Sequence, residues 1–584
     1  MWLKKWRYLL LSLLAIAALT AFAACGDDEK DTGGDTPAPT DEPATGERID
    51  GGTLTVHSID AQSLDPHFSN FVQDISIQRM LWRGLYQLDI DNKPLPAMAA
   101  DDPDVSADGL TYTITLRDGL KWSDGDDLTA EDFVAGFKRT CNPVVAGNYS
   151  TLITDSIVGC GDLYTALGTE DAPLTPTPAE LQALEDAVGV TAIDDTTLEI
   201  TLAQKQVTFP LIISLWFAFP VPVHLPRFAN QTPDAPAEWG RDPAELAYNG
   251  PYILTEYVQL DHATLVPNPN WAAPADVSPT LDELVIRFIE KNDVADNAYE
   301  RGELDQALVD LANLDAILAQ FGDEYFKGIT AETRGLEMEL TAPPLDQFEV
   351  RLALSRAIDR EQLNIVAAAS GFTPTTSWIP ESAGGAAPDA FEDVIGYDPV
   401  AAKQALTDAG YPDGAGFPTL SILVRDTPEA QAQAEFLQNS FKTVLNIDTE
   451  IEPADSPTRS QRLNDHQYEL APRSGWSQDY PDPENWIISL FDTGGTNNVY
   501  SCSDPEIDAL IEEAHFNTND EERREQYKQI NELVVTKLCG VAPYYHGANH
   551  WLVKPYIVGM TDNSSVQDAE MPGDWNAEAW GRTE

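Results

Sequence analysis

The chain has 584 residues, 43% hydrophobic and 22% charged, which is enough apolar material for more than one core and excludes a disordered tail or a miniprotein. Its 96 Asp and Glu against 35 Lys and Arg give a formal net charge of −61, a field that repels nucleic acid and anionic membrane surfaces. Five cysteines are too few for a disulfide-dense scaffold but enough for one or two staples.

Residues 1–24 carry Lys4, Lys5 and Arg7, then an apolar run from Tyr8 that ends in small residues at Ala23 and Ala24. That order marks an export signal, not a fold element, and the run is at the short limit for spanning a bilayer. Ala-Ala-Cys-Gly at its end resembles the lipobox of bacterial lipoproteins, with Phe22 where leucine is usual. The resemblance implies that Cys25 becomes the first mature residue and is acylated; ordinary signal cleavage with an incidental Cys25 is the competing reading. A diacylglyceryl group supplies the two chains that stable anchoring needs. Residues 25–49 contain almost no large apolar side chains, cannot offset the entropy of ordering, and are expected to form a flexible linker.

Strands and helices alternate from residue 52 onward. Leu110, Tyr112, Ile114 and Leu116 alternate with threonines as a half-buried strand does, and Leu198, Ile200 and Leu202 repeat the period. Asp504 and Pro505 are helix-start residues, followed by Ile507, Leu510, Ile511 and Ala514 at helical spacing. A second amphipathic helix begins near Asn519 and puts Tyr527, Ile530, Val534 and Leu538 on one face. Mixed segments on this scale predict α/β lobes. Export places the remaining cysteines in an oxidising compartment, and the expected pairs are Cys141 with Cys160 and Cys502 with Cys539. Three connectivities are open to sequence, and four buried thiols are the alternative.

Catalytic and metal signatures are missing from the sequence. No H-E-x-x-H, phosphate loop or G-x-S-x-G elbow occurs. His546 and His550 are four apart in a segment that reads as strand and turn, so no metal site is expected there, and no cofactor elsewhere. Carboxylates are abundant, but nothing in their spacing marks a catalytic pair.

A series of segments carries a resemblance. Leu64-Asp65-Pro66 opens it, and Arg83-Gly84-Leu85 follows. A dense block comes next, Ala107-Asp108-Gly109-Leu110-Thr111-Tyr112, Leu116-Arg117-Asp118-Gly119-Leu120-Lys121-Trp122-Ser123-Asp124-Gly125 and Leu128-Thr129-Ala130-Glu131-Asp132-Phe133. Asn249-Gly250-Pro251-Tyr252, Arg301-Gly302-Glu303-Leu304-Asp305, Val350-Arg351, Ala357-Ile358-Asp359-Arg360 and Gly475-Trp476-Ser477-Gln478-Asp479-Tyr480-Pro481-Asp482-Pro483 continue in order. Together they resemble the extracytoplasmic solute-binding proteins of ABC importers, in the class that binds oligopeptides and dipeptides.

The resemblance implies a two-lobed periplasmic-binding-protein-like α/β fold with mixed sheets, a hinge, and an extra domain inserted in lobe I. Lobe I would take 50–90, 195–300 and 548–584, the insert 91–194, and lobe II 301–547. The family role implied is capture of a short peptide between the lobes and delivery to permease subunits, by a monomer tethered outside the cytoplasmic membrane. Family members hold the peptide as an added strand. Here the flanking segments would be Phe68-Ser69-Asn70-Phe71 and Gly475-Trp476-Ser477. Asp479 would pair with the ligand ammonium, Arg473 would reach its carboxylate, and Tyr149 would line the pocket. The competing readings are a turn cap for Asp479, a structural ion pair for Arg473 and a core position for Trp476. Leu340-Thr341-Ala342 departs from an asparagine run of some relatives, which leaves oligosaccharides, opines and metal chelates open as ligands. An exported hydrolase is the rival from another class.

Overall fold

The computed structural model describes residues 48–583 except 169–171, 275–276, 369–370 and 562–569; the export signal, Cys25 and nearly all of the linker lie outside the described residues. Its backbone is one continuous mixed sheet of eleven strands. In spatial order the path runs Thr449–Ala454, Leu420–Arg425, Leu470–Ser477, Tyr325–Met338, Val541–Val553, Gln306–Leu308, Thr53–Ser58, Glu283–Phe288, His262–Pro267 and Tyr252–Val258, with Thr373–Pro374 attached to Val541–Val553. Among the described residues no helix is long and apolar enough to cross a membrane.

Two large apolar clusters divide along this sheet, one for each lobe. The first gathers Leu54, Val56, Trp82, Trp122, Leu198, Ile200 and Trp580; the second gathers Leu336, Val350, Ile358, Ile422, Ile507, Tyr527 and Val534. Two long antiparallel strands, Tyr325–Met338 and Val541–Val553, carry the chain between them. Trp551 and Val553 belong to the first core, whereas Val541, Ala542, Tyr544 and Tyr545 belong to the second. Their register shifts between Ile329 and Thr333, midway along the crossing, where a bulge lets paired strands bend and twist. Two of the sequence-based boundaries fall at residues 301 and 548. Residue 301 precedes the strand Gln306–Leu308, which pairs with Thr53–Ser58, and residue 548 falls inside Val541–Val553.

A separate four-stranded sheet is formed by Asp104–Val105, Thr111–Thr115, Thr197–Thr201 and Val190–Asp194, of which Thr197–Thr201 lies beyond the expected end of the insert at residue 194. Tyr112 and Ile114, like Leu198 and Ile200, turn inward as their alternation requires. Cys141 is bonded to Cys160 in this region, and Cys502 to Cys539 in the second lobe.

The two C-terminal helices show their starts. Asp504 accepts from the backbone N–H groups of Glu506 and Ile507 ahead of the helix Pro505–His515, and Asn519 caps Asp520–Thr536. Tyr527, Ile530 and Val534 are fully buried on the second core, and Leu538 is buried just past the helix end. The family-like motifs prove to be struts. Arg83 donates to the Trp575 carbonyl at 2.8 Å and pairs with Glu578 at 2.8 Å, while Asn249 exchanges two hydrogen bonds with the Arg83 backbone. Gly250 is required because a Cβ there would meet the Leu81 carbonyl carbon at 2.6 Å.

Candidate functional site

Between the lobes lies a cavity of about 760 Å³. The first lobe contributes Asn70, Tyr149, Asp155, Gln206 and their neighbours; the second contributes Trp476, Asp479, Asn485, Asp492 and His515.

The second-lobe wall begins with the strand Leu470–Ser477. One edge pairs with Tyr325–Met338, setting Ser477 opposite Glu332, Trp476 opposite Thr333 and Gly475 opposite Arg334. The other edge meets Leu420–Arg425 only where Leu470 pairs with Ile422. Among the described residues no further strand covers that edge, so the end of the strand offers unpaired main-chain groups beside the cavity. Gly475 is dictated by crowding, since a Cβ would sit 1.8 Å from the Thr333 carbonyl oxygen. Strand alternation puts Trp476 into the cavity lining and leaves Gly475 and Ser477 out of it. The Trp476 ring also packs against the second core, so it serves both as cavity wall and as core.

Beyond the strand the chain turns through Asp479 into the short helix Pro483–Trp486, capped by Asp482, which accepts from the Glu484 backbone. Asn485, on this helix, organises the turn. Its Oδ1 accepts from the Asp479 N–H at 2.9 Å and from the Trp476 indole N–H at 3.0 Å, while its Nδ2 donates to the Asp479 carboxylate at 3.0 Å. From the first lobe, the Tyr149 hydroxyl stands near the same carboxylate and favours its ionised form. Burial raises the pKa of Asp479, and these two neutral partners only partly offset it. Among the described residues no Lys or Arg pairs with Asp479. Its carboxylate is therefore a strong, desolvated acceptor with room for a cation. It caps no helix, because Asp482 does that.

Behind this wall Glu484 binds the two lobes together. It accepts from Thr208 of the first lobe at 3.0 Å and from Arg523 at 2.8 Å, and hydrogen-bonds His515 at 3.2 Å. Burial pushes Glu484 up, but His515 and the Arg523 charge outweigh it and hold its pKa at about 2. Arg523 also grips Asp482 through two hydrogen bonds of 2.7 Å. Tyr480 packs into the first core although its sequence neighbours Trp486 and Ile487 belong to the second.

The first-lobe segment is less open than its sequence suggests. Of Phe68, Ser69, Asn70 and Phe71, only Asn70 lines the cavity. Ser69 is buried, its hydroxyl donates to Asp74, and its carbonyl accepts from the Trp216 indole at 3.2 Å. The Phe71 carbonyl accepts from the backbone of Asp74 and Ile75. Phe68 and Phe71 are exposed outside the lining. Tyr149 is held by Trp216, its ring edge-on at 4.7 Å. Arg473 lies on the strand Leu470–Ser477, with its side chain outside the described residues. Asn485, Asp155, Asp492 and His515 are lining residues that sequence reasoning missed; their positions depend on how distant segments meet.

His546 and His550 sit in the strand Val541–Val553, each hydrogen-bonded to a carbonyl, of Ser377 and Gly371 respectively. Burial lowers both to about 4. Three side chains come within metal-ligand reach of one another among the described residues, Asp124, Asp126 and His224; both aspartates are exposed in a surface turn.

Residues 93–498, more than half of the chain, match the family model described as bacterial extracellular solute-binding proteins, family 5, middle. The chain belongs to this family. The solute-binding protein is 25% identical over 578 residues to the oligopeptide-binding protein OppA of Bacillus subtilis, covering 95% of this chain and 97% of OppA. It is 26% identical over 504 residues to a protein of Escherichia coli named "Probable deoxycholate-binding periplasmic protein YgiS", covering 86% and 89%. Among solved structures, the murein tripeptide-binding protein MppA in an unliganded open form superposes with a TM-score of 0.75 at 24% identity, covering 92% of this chain and 99% of that one. At that identity the likeness establishes the fold, a two-lobed solute-binding protein.

Proposed function

We propose that this protein captures short peptides in the cavity between its lobes and delivers them to the permease of an ABC importer. The observation that carries the proposal is Asp479, a buried carboxylate held by neutral Asn485 with Tyr149 nearby, beside a strand whose cavity edge is unpaired. A peptide supplies what both features lack, an ammonium for the carboxylate and main-chain donors and acceptors for the edge. Affinity then rests on backbone and terminus, and relatives named for oligopeptides fit that chemistry. Tyr149 and Asp479 come from different lobes, so a ligand that engages both favours closure by contacts absent from the open form. We place the hinge at the crossing strands Tyr325–Met338 and Val541–Val553.

The protein works as a monomer and leaves its ligand intact; it is not an enzyme. Cys25, acylated after removal of residues 1–24, tethers it through residues 25–49 to the outer face of the cytoplasmic membrane. Arg473 reaches the far end of the bound peptide. Titration of the purified protein with tri-alanine, followed by recovery of the peptide, tests this reading. One-to-one binding with intact recovery supports it; no heat of binding, or recovery of free alanine, overturns it.

A further inference from the structure

Among the described residues that line the cavity, acidic groups outnumber basic ones. Its lining holds Asp155, Asp479, Glu484 and Asp492, with His515 as the single group able to carry positive charge, and includes no Lys or Arg among the described residues. Glu484 is already compensated by Arg523 and His515. Asp479 is taken by the peptide terminus in the reading above. Two carboxylates are left over, one from each lobe. Asp155 follows the short helix Thr151–Thr154, whose Ile153 is anchored in the first core, and its side chain is exposed. Asp492 follows Ile488–Phe491, whose Phe491 is anchored in the second core. Neither has an ion-pair partner among the described residues. Asp492 also stands near the negative Asp508, whose carboxylate accepts from Thr493, so burial and a like charge both disfavour its ionised form.

We propose that the cavity selects peptides bearing a cationic side chain, lysine or arginine, and that Asp155 and Asp492 make the selection by meeting that side chain from opposite lobes. The inference rests on the peptide reading. A cationic side chain pairs with both carboxylates, whereas an acidic side chain adds a further like charge beside them. The general acidity of the chain also attracts cations, but from a distance and without regard to two particular residues.

Calorimetric titration of the purified protein with tetra-alanine, with its three variants carrying lysine at position 2, 3 or 4, and with the corresponding glutamate peptides separates these effects. At least one lysine peptide should bind about tenfold tighter than tetra-alanine, and the glutamate peptides weaker than it. In an Asp155→Asn, Asp492→Asn double variant the lysine advantage over tetra-alanine, measured on that same variant, should fall to about twofold or less. No lysine preference at any position overturns the proposal, and so does a preference that survives in the double variant. Tetra-alanine binding without a lysine advantage overturns the selectivity alone; failure of every peptide to bind overturns the peptide reading itself.

Discussion

Asp479→Asn isolates the charge on which peptide capture depends. The substitution keeps the side-chain size and leaves Asn485 and Tyr149 in place while removing the one anion that faces the ligand ammonium. Breaking one side of a buried, hydrogen-bonded charge pair costs about 3–5 kcal/mol, and every 1.4 kcal/mol is about tenfold in Kd, so affinity for a free tripeptide should fall at least about a hundredfold. The free protein should respond in the opposite sense. Because the pKa of Asp479 is raised in the folded state, the unfolded chain binds fewer protons above the unfolded carboxylate value; this aspartate therefore destabilises the free protein as pH rises through the folded pKa. The asparagine variant should melt no lower than the wild type at pH 7 while losing peptide-induced stabilisation. A double cycle completes the test by calorimetry, pairing the substitution with N-acetylation of the peptide. Acetylation should weaken wild-type binding about as much as the substitution does and add little in Asp479→Asn. Independent, additive losses would refute an ammonium at this carboxylate.

Three further outcomes follow from the scaffold. Arg523→Met leaves Asp482 and Glu484 buried without their cation and should lower unfolding stability by about 3–5 kcal/mol in denaturant titration; an unchanged midpoint would contradict the role given to the network. Replacing Cys502 and Cys539 by serine should cost about 3–4 kcal/mol, slightly more than replacing Cys141 and Cys160, because the longer loop loses more unfolded-state entropy; the reverse order would go against that account. Burial raises Glu570 to about 7, so its contribution to stability falls as pH rises from its unfolded value, near 4.5, through 7. Glu570→Gln should remove up to roughly 3 kcal/mol of that decline, read as the difference between the two melting-temperature profiles from pH 5 to 7.5, and parallel profiles would show the shift to be absent.

The elements most legible in the sequence are those with local causes. Asp504-Pro505 and Asn519 start helices because their side chains satisfy orphan N–H groups a few residues away, and Tyr112 and Ile114 turn inward because a strand alternates. The family-like motifs were legible too, but Arg83, Asn249 and Gly250 serve the scaffold: they position the cavity without lining it. Phe68-Ser69-Asn70-Phe71 shows the limit from the other side. The segment reads as a strip of free main chain, yet Trp216, more than a hundred residues away, has claimed the Ser69 carbonyl. Asn485 carries no sequence signal that separates it from any polar residue on a short helix; only the turn that returns it to Trp476 and Asp479 gives it a role. The two crossing strands are equally hidden, because a strand that changes cores midway buries different faces at its two ends and breaks any single period.

The most direct test is a crystal structure of the purified protein with a bound tripeptide. The account predicts the peptide extended between the lobes along the strand Leu470–Ser477, its ammonium within hydrogen-bond distance of the Asp479 carboxylate and Tyr149 on the same oxygens. A ligand bound elsewhere, or a peptide whose terminus lies away from Asp479, would contradict it.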